Sequence, residues 1–203
     1  MKKRLVILIC GLLVLFVVLT VLVVLGLTKR FDEAGYLLVR SLECDFFDNY
    51  FLFVTRMGNE NVIIVFIIML LFVLKDRERI LLLFSSLISV VSNQGIKHLL
   101  MRKRPDVLHL IKQGGYSYPS GHSMIAVAVY GLLIYFVCSK IKNKYLKYGL
   151  SLLLVLLIIS IGISRIYVGV HYISDVLGGF LLAIIELILL ICCFKHFRGN
   201  LNV

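Results

Sequence analysis

Six long apolar runs constrain this chain more than any other feature. The first, residues 5–27, carries no charge and is longer than the roughly 20 residues an α-helix needs to cross a bilayer. Further runs cover residues 62–74, 80–96, 123–139, 148–164 and 172–194, the last broken only by Asp175 and Glu186. The second is short and is expected to begin upstream, near Gly58. Backbone in hydrocarbon must satisfy its own hydrogen bonds, so runs of this kind read as helices. Composition agrees: 61% of the 203 residues are hydrophobic, well above the roughly 45–50% of a soluble domain. The predicted fold class is all-α, a polytopic membrane helical bundle with about six transmembrane helices, forming one domain over residues 1–203.

The first run also resembles a secretory leader, because residues 1–4 are basic. Its apolar core exceeds the roughly 7–15 residues of such leaders, and no small-x-small cleavage site precedes Lys29, so a retained span is expected. The net charge of +11 raises nucleic acid as a partner, but its distribution argues against one. Lys2, Lys3 and Arg4, then Lys75, Arg77 and Arg79, then Lys140, Lys142, Lys144 and Lys147, and finally Lys195 and Arg198 all fall on one side of a six-span chain. That is the positive-inside pattern, and it places both termini in the cytoplasm. The other side receives the remaining Lys and Arg together with most of the acids, in residues 32–60. Of the five cysteines, Cys10, Cys44, Cys138, Cys192 and Cys193, only Cys44 falls in an outer loop, so no disulfide framework is expected. No Cys/His cluster has zinc spacing, and no metal or other cofactor is expected.

Two segments between the runs stand out. Residues 28–57 are too charged to span, yet Phe31, Leu38, Leu42, Phe46, Tyr50 and Val54 recur at near-helical spacing, with Tyr36, Phe47, Phe51 and Phe53 adding aromatic bulk. One or two helices are expected there, either lying at the outer membrane interface or packed as ordinary amphipathic helices on the bundle. Residues 97–119 carry an unusual load of Lys, Arg and His around a Gly114–Gly115 turn.

Three constellations carry chemistry. Lys97 closes the third run and Arg104-Pro105 follows, a point charge and a planar fork of donors suited to phosphate oxygens. Alone this pair is weak, because cations commonly decorate helix ends. Pro119-Ser120-Gly121-His122 stands directly before the fourth run. It reads as an N-terminal capping turn whose backbone N–H groups can cradle an anion, with His122 in the first turn. A capping turn with an incidental histidine is the plainer reading of that motif alone. Ser164-Arg165, His171 and Asp175 form the third set. On a helix, His171 and Asp175 would lie roughly 40° and about 6 Å apart, close enough for the carboxylate to fix the imidazole tautomer. An ionisable residue inside an apolar run marks function by default, although a structural His–Asp pair is the alternative. The decisive point is their convergence, since all three sets reach the same face under a topology drawn without them. Three cations, two histidines and a carboxylate at one interface suit attack on a phosphate dianion.

These motifs resemble the three signatures of the type 2 phosphatidic acid phosphatase family, whose site is shared with vanadium haloperoxidases. The likeness runs from residue 97 to 175 without a departure inside the motifs. It implies a metal-independent membrane phosphatase acting on a lipid phosphate. His171 would be the nucleophile, forming a phosphohistidine, with Asp175 orienting it. His122 would protonate the leaving group and then activate water. Lys97, Arg104, Arg165, Ser120 and Gly121 would hold the phosphoryl oxygens. Phosphatidylglycerophosphate and undecaprenyl pyrophosphate are the leading substrates, with phosphatidic acid a further candidate. The implied partners are this lipid substrate and the membrane lipids around it, and the site is expected at the outer face of a bacterial cell membrane.

Asn93, one turn before Lys97, reads as bundle packing or a local hydrogen bond. Glu186 is expected to face the bundle interior in a structural role, and His109 to be incidental. A small proton-relaying transporter is the competing class. It would spread titratable groups through the bundle midplane, whereas here they gather at one end.

Overall fold

The computed structural model describes residues 3–200, with side chains as far as His196; Lys2 and the Arg198 side chain lie outside the described set. The described residues form nine α-helices and no strand. The chain opens with α1 (Lys3–Val24), α2 (Lys29–Arg40), α3 (Asp45–Arg56), α4 (Glu60–Val73) and α5 (Asp76–Leu100). After a non-helical segment come α6 (Gly121–Ala126), a π-turn at Val127–Gly131, α7 (Leu132–Lys140), α8 (Lys144–Tyr167) and α9 (Ile173–Asn200). Among the described residues, five stretches are long and apolar enough to cross a membrane: α1, α5, α6 through α7, α8 and α9.

The sixth expected span takes a different form. At 14 residues, α4 is only about 21 Å long, short of the roughly 30 Å hydrocarbon core. It joins α3 at a 55° bend, and only as a bent pair do they reach spanning length. The bend falls at Gly58, upstream of the apolar run, where α3 turns inward to pack on α8. Phe51 and Val54 of α3 are both 5% exposed, with the Phe51 ring tilted against that of Tyr167 at a centroid distance of 4.5 Å. The second amphipathic helix is therefore packed on the bundle as well as charged on its other face.

The spans present their apolar surfaces outward. Val23 alone is buried on α1, which packs against α9 with Leu5, Ile9, Leu12, Phe16 and Leu19 half-buried and turns its other apolar side chains outward. Packing inside the bundle concentrates where α5, the π-turn, α7 and α8 meet, around Leu82, Val129, Leu132 and Ile161, all fully buried. Within the fourth span the π-turn shifts the helical register, and the buried Ser85 hydroxyl donates to the Ala128 carbonyl at 2.9 Å. At the far end from the non-helical segment, Lys140 pairs with Glu78 at 2.5 Å and Lys195 lies over the Tyr135 ring. The basic clusters of the inter-helix turns thus meet at one end, and the candidate site residues lie at the other.

The site end owes its shape to how α5 stops. Met101 adopts the left-handed conformation at φ 48°, and its N–H closes on the Lys97 carbonyl at 2.9 Å. The chain then leaves the helix axis and runs across the tops of α8 and α9. Gly169, at φ +80°, lets this strap approach: a β-carbon there would sit 2.3 Å from the Leu108 carbonyl oxygen.

Candidate active site

The central element is the turn between α8 and α9. His171 is 2% exposed and Asp175 is fully buried. The sequence suggested that both ride one helix; instead His171 lies in the turn before α9, and Asp175 stands in its first turn. Their contact survives because Asp175 caps that turn. Its Oδ2 accepts the Tyr172 N–H at 2.9 Å and faces His171 Nδ1 at 3.3 Å. The Ser117 hydroxyl donates to the same oxygen.

Arg104 fixes the other ring nitrogen. Its Nη1 lies 3.2 Å from His171 Nε2 and donates to the Val170 carbonyl at 2.7 Å. A guanidinium has no lone pair to offer, so Nε2 must be the accepting nitrogen. The ring proton then sits on Nδ1, toward Asp175. Burial pushes the His171 pKa down to about 3, against the opposing pull of Asp175, so the imidazole is neutral near pH 7. Arg104 also donates to the Gly114, Gly115 and Tyr116 carbonyls, folding the 114–116 turn over the site. Burial draws the Arg104 pKa below the usual arginine value, with Asp175 opposing.

A cavity of about 450 Å³ opens beside this pair. Lys97, Arg104, His122 and His171 line its polar head, and Ile63, Ile64, Ile67, Leu87 and Val90 line the body between α4 and α5. A second cavity of about 220 Å³ lies on the other side of His122, bounded by Thr55, Arg56, Lys112, Gln113 and Arg165. His122 therefore stands between the two. Gly58 makes room for it, since a β-carbon there would lie 2.9 Å from the ring and 3.0 Å from Ile161.

Arg165 is 1% exposed and is held by Thr55 Oγ1 at 2.7 Å and Gln113 Oε1 at 2.8 Å, while its Nε has no partner among the described residues. A buried guanidinium held only by neutral groups stays positive in a place where an anion is the natural complement.

The capping turn forms as expected. The Ser120 side chain caps α6 through the Ser123 N–H, and its own N–H donates to the Asp175 carbonyl at 3.0 Å. Ser120 itself is fully buried, and its hydroxyl also accepts from Ser123 Oγ at 3.0 Å, so it braces the turn rather than lining either cavity. Gly121 does line the larger cavity. Asn93 holds the turn from α5, donating to the Pro119 carbonyl at 2.9 Å.

Lys97, Arg104, Gly121, His122, Arg165 and His171 therefore converge on the two adjoining cavities, with Asp175 behind His171. Sequence reasoning passed over Arg102, Asp32, Ser117, Thr55 and Gln113. Arg102 is the most notable: it donates to Asp175 Oδ1 and, at 2.7 Å, to Asp32 of α2. Burial acts against its charge, but Asp175 and Asp32 outweigh it and raise the pKa. Nothing in the local sequence separates Asp32 from the acidic residues around it, because its burial is a property of the fold. Glu186 sits half-buried beside Ser92 of α5, away from both cavities. Among the described residues no group of His, Cys, Asp and Glu is arranged to hold a metal ion.

Comparison with known proteins gives consistent results. A sequence model of the PAP2 superfamily matches residues 79–198. Phosphatidylglycerophosphatase B of Bacillus subtilis (strain 168) is 39% identical over 97 residues, 46% of each chain, so the match spans about half the length of that relative. The fold superposes with a TM-score of 0.83 on the crystal structure of a transmembrane PAP2 type phosphatidylglycerolphosphate phosphatase from Bacillus subtilis. That likeness covers 95% of this chain and 96% of that one at 26% identity. Aquifex aeolicus LpxE shares the fold at a TM-score of 0.66 and 24% identity, over 79% of this chain and 94% of the other.

Proposed function

The chain belongs to the PAP2 superfamily, and from the geometry of its site we propose that it is a multi-pass membrane phosphatase of lipid phosphates working through a phosphohistidine. The observation that carries this reading is the tautomer of His171. Asp175 accepts a hydrogen bond from Nδ1–H, and the Nε2 lone pair faces Arg104 at the head of a cavity that Lys97 also lines.

In the first step Nε2 attacks phosphorus, a P–N bond forms and the P–O bond to the lipid breaks. Lys97, Arg104, Arg165 and the Gly121 backbone spread the charge of the transferring group over fixed donors. Asp175 balances the positive charge that develops on the imidazole. His122, between the two cavities, delivers a proton to the leaving oxygen. In the second step His122 takes a proton from water as its oxygen attacks phosphorus, and the P–N bond breaks to release phosphate. These cations supply the stabilisation that a divalent ion provides in other phosphoryl transfers.

The groove between α4 and α5 fits a lipid tail, and the name of the Bacillus relative favours phosphatidylglycerophosphate over undecaprenyl pyrophosphate. The positive clusters favour cytoplasmic termini, with the site at the outer face of the cell membrane and α2 and α3 near its surface. The test is phosphate release from phosphatidylglycerophosphate, undecaprenyl pyrophosphate and phosphatidic acid by purified protein in detergent. Release from none of them, in protein that elutes as a folded species, overturns the proposal.

A further inference from the structure

The proposed mechanism uses the Oδ2 side of Asp175 and leaves the other oxygen unexplained. Asp175 Oδ1 accepts from Arg102 Nη1, and Arg102 Nη2 reaches Asp32 Oδ2 at 2.7 Å. Asp32 belongs to α2 and is 1% exposed. Its Oδ1 accepts the Ser174 N–H at 2.9 Å, and its Oδ2 also accepts the Ser174 hydroxyl at 2.9 Å. Arg102 donates to that same hydroxyl at 2.8 Å, and its guanidinium lies 4.2 Å from the centre of the Tyr172 ring. One arginine thus bridges two buried carboxylates, and Ser174, next to Asp175, is held by both.

The charge arithmetic gives this arrangement a consequence. A fully buried carboxylate is costly to keep ionised without a counter-charge, and Arg102 supplies one. A lone Arg102–Asp175 pair would be neutral, however, and little negative potential would remain for the imidazole. Asp32 shares the guanidinium and returns one negative charge to the cluster. The bridge also occupies Oδ1, which leaves Oδ2 as the oxygen turned to His171. Neither Asp32 nor Arg102 lines either cavity.

We propose that Asp32 and Arg102 are positioning residues for the transfer step: through Arg102, Asp32 orients Asp175 and keeps one net negative charge behind the His171 imidazole. This rests on the reading of His171 as the nucleophile. It gives α2 a part in the chemistry, although its sequence marked it only as an amphipathic helix, at the membrane interface or packed on the bundle.

A double-mutant cycle tests it on the detergent-solubilised protein. Asp32→Asn and Arg102→Gln should each lower kcat roughly tenfold to a hundredfold, the cost typical of losing the outer partner of a metal-bound imidazole. KM should stay within about twofold, since neither residue touches substrate, and rapid-quench trapping should show slower phosphohistidine formation. The double variant should be no worse than the poorer single one, because Asp32 acts through Arg102. Arg102→Lys keeps the charge but lacks the planar fork that holds both carboxylates in fixed geometry, and should retain intermediate activity. If Asp32→Asn does not elute as a folded species, Arg102→Lys and Arg102→Gln decide alone. Unchanged kcat in folded variants, an effect confined to KM, or fully additive losses would overturn the proposal. Phosphohistidine that persists in His171→Ala would instead sink the underlying nucleophile assignment, whatever the clamp variants do.

Discussion

Arg102 and Arg104, two residues apart in one non-helical strap, grip opposite ends of the same hydrogen-bonded pair. Arg102 donates to Asp175 Oδ1, while Arg104 faces His171 Nε2 at 3.2 Å. Residues two apart in a regular strand would share one face, but this strap is irregular, and a single crossing of the chain delivers the two side chains to different partners. One arginine faces the cavity and the other faces α2. The pair thereby has a reactive end and an anchored end, and separate variants can address each.

At the reactive end, His171→Ala should abolish turnover and trapping of a phosphoenzyme for every substrate. His122→Ala should lose roughly 10²–10⁴-fold on alkyl phosphates, the usual value of general acid assistance. It should lose much less on an activated aryl phosphate, whose leaving group needs little protonation. Rapid-quench labelling separates the two, and phosphate found on His122 would reverse the roles.

Metal dependence offers a second check. Lys97 and Arg104 head the larger cavity and Arg165 borders the smaller, so the proposed mechanism draws its charge stabilisation from side chains. Hydrolysis should continue in EDTA, and vanadate should inhibit by imitating the five-coordinate phosphorus. Activity lost in chelator and restored by Mg²⁺ would contradict this.

Stability should depend on pH through His171. In the unfolded chain this histidine titrates near its ordinary value of about 6.5, whereas burial holds it at about 3 in the fold. Between those values the unfolded chain binds more protons, so the contribution is fully present above about pH 6.5 and is lost progressively toward pH 3. Thermal unfolding in detergent from pH 7 to 4.5 should fall less steeply for His171→Gln than for the parent protein. Equal slopes would show that His171 does not titrate as described.

The turn at Gly58 gives a steric test. A β-carbon there meets the His122 ring at 2.9 Å, so Gly58→Ala must displace the ring or tilt α4. Small misplacements of a reacting group are costly, and kcat should fall roughly tenfold or more. In a His122→Ala background the same substitution should cost little. An equal loss in both backgrounds would place the effect elsewhere.

Membrane orientation can be tested in a Cys-free background, which is needed because Cys10, Cys44, Cys138 and Cys193 are exposed. A cysteine at Lys112 should react with an impermeant thiol reagent in intact cells, and one at Asn143 should not. The reverse labelling would invert the proposed topology.

Much of this site was readable from local sequence, because its motif residues sit at helix ends where capping and chain reversal are local events. Ser120 illustrates both the reach and the limit: its capping role was legible, but its burial by Ser123 was not. The same holds for His171 and Asp175, where a four-residue spacing was right about contact and wrong about helical form. Asp32 and Arg102 were illegible for a different reason. Each looked like one more charge among many, and their meaning depends on α2 docking against α9, a contact set by tertiary packing. The bend between α3 and α4 was hidden likewise, since apolar periodicity does not record a change of helix direction at Gly58.

The groove has a bearing on how catalysis should be quantified. Ile64, Leu87 and Val90 line it and are also 55%, 59% and 51% exposed, so its wall opens sideways between α4 and α5. A substrate approaching by that route never leaves its leaflet. Encounter then takes place in two dimensions, and the relevant concentration is the mole fraction of phosphorylated lipid among its neighbours. Diluting such a lipid with inert lipid or detergent at constant bulk concentration should slow the enzyme as a true loss of substrate would.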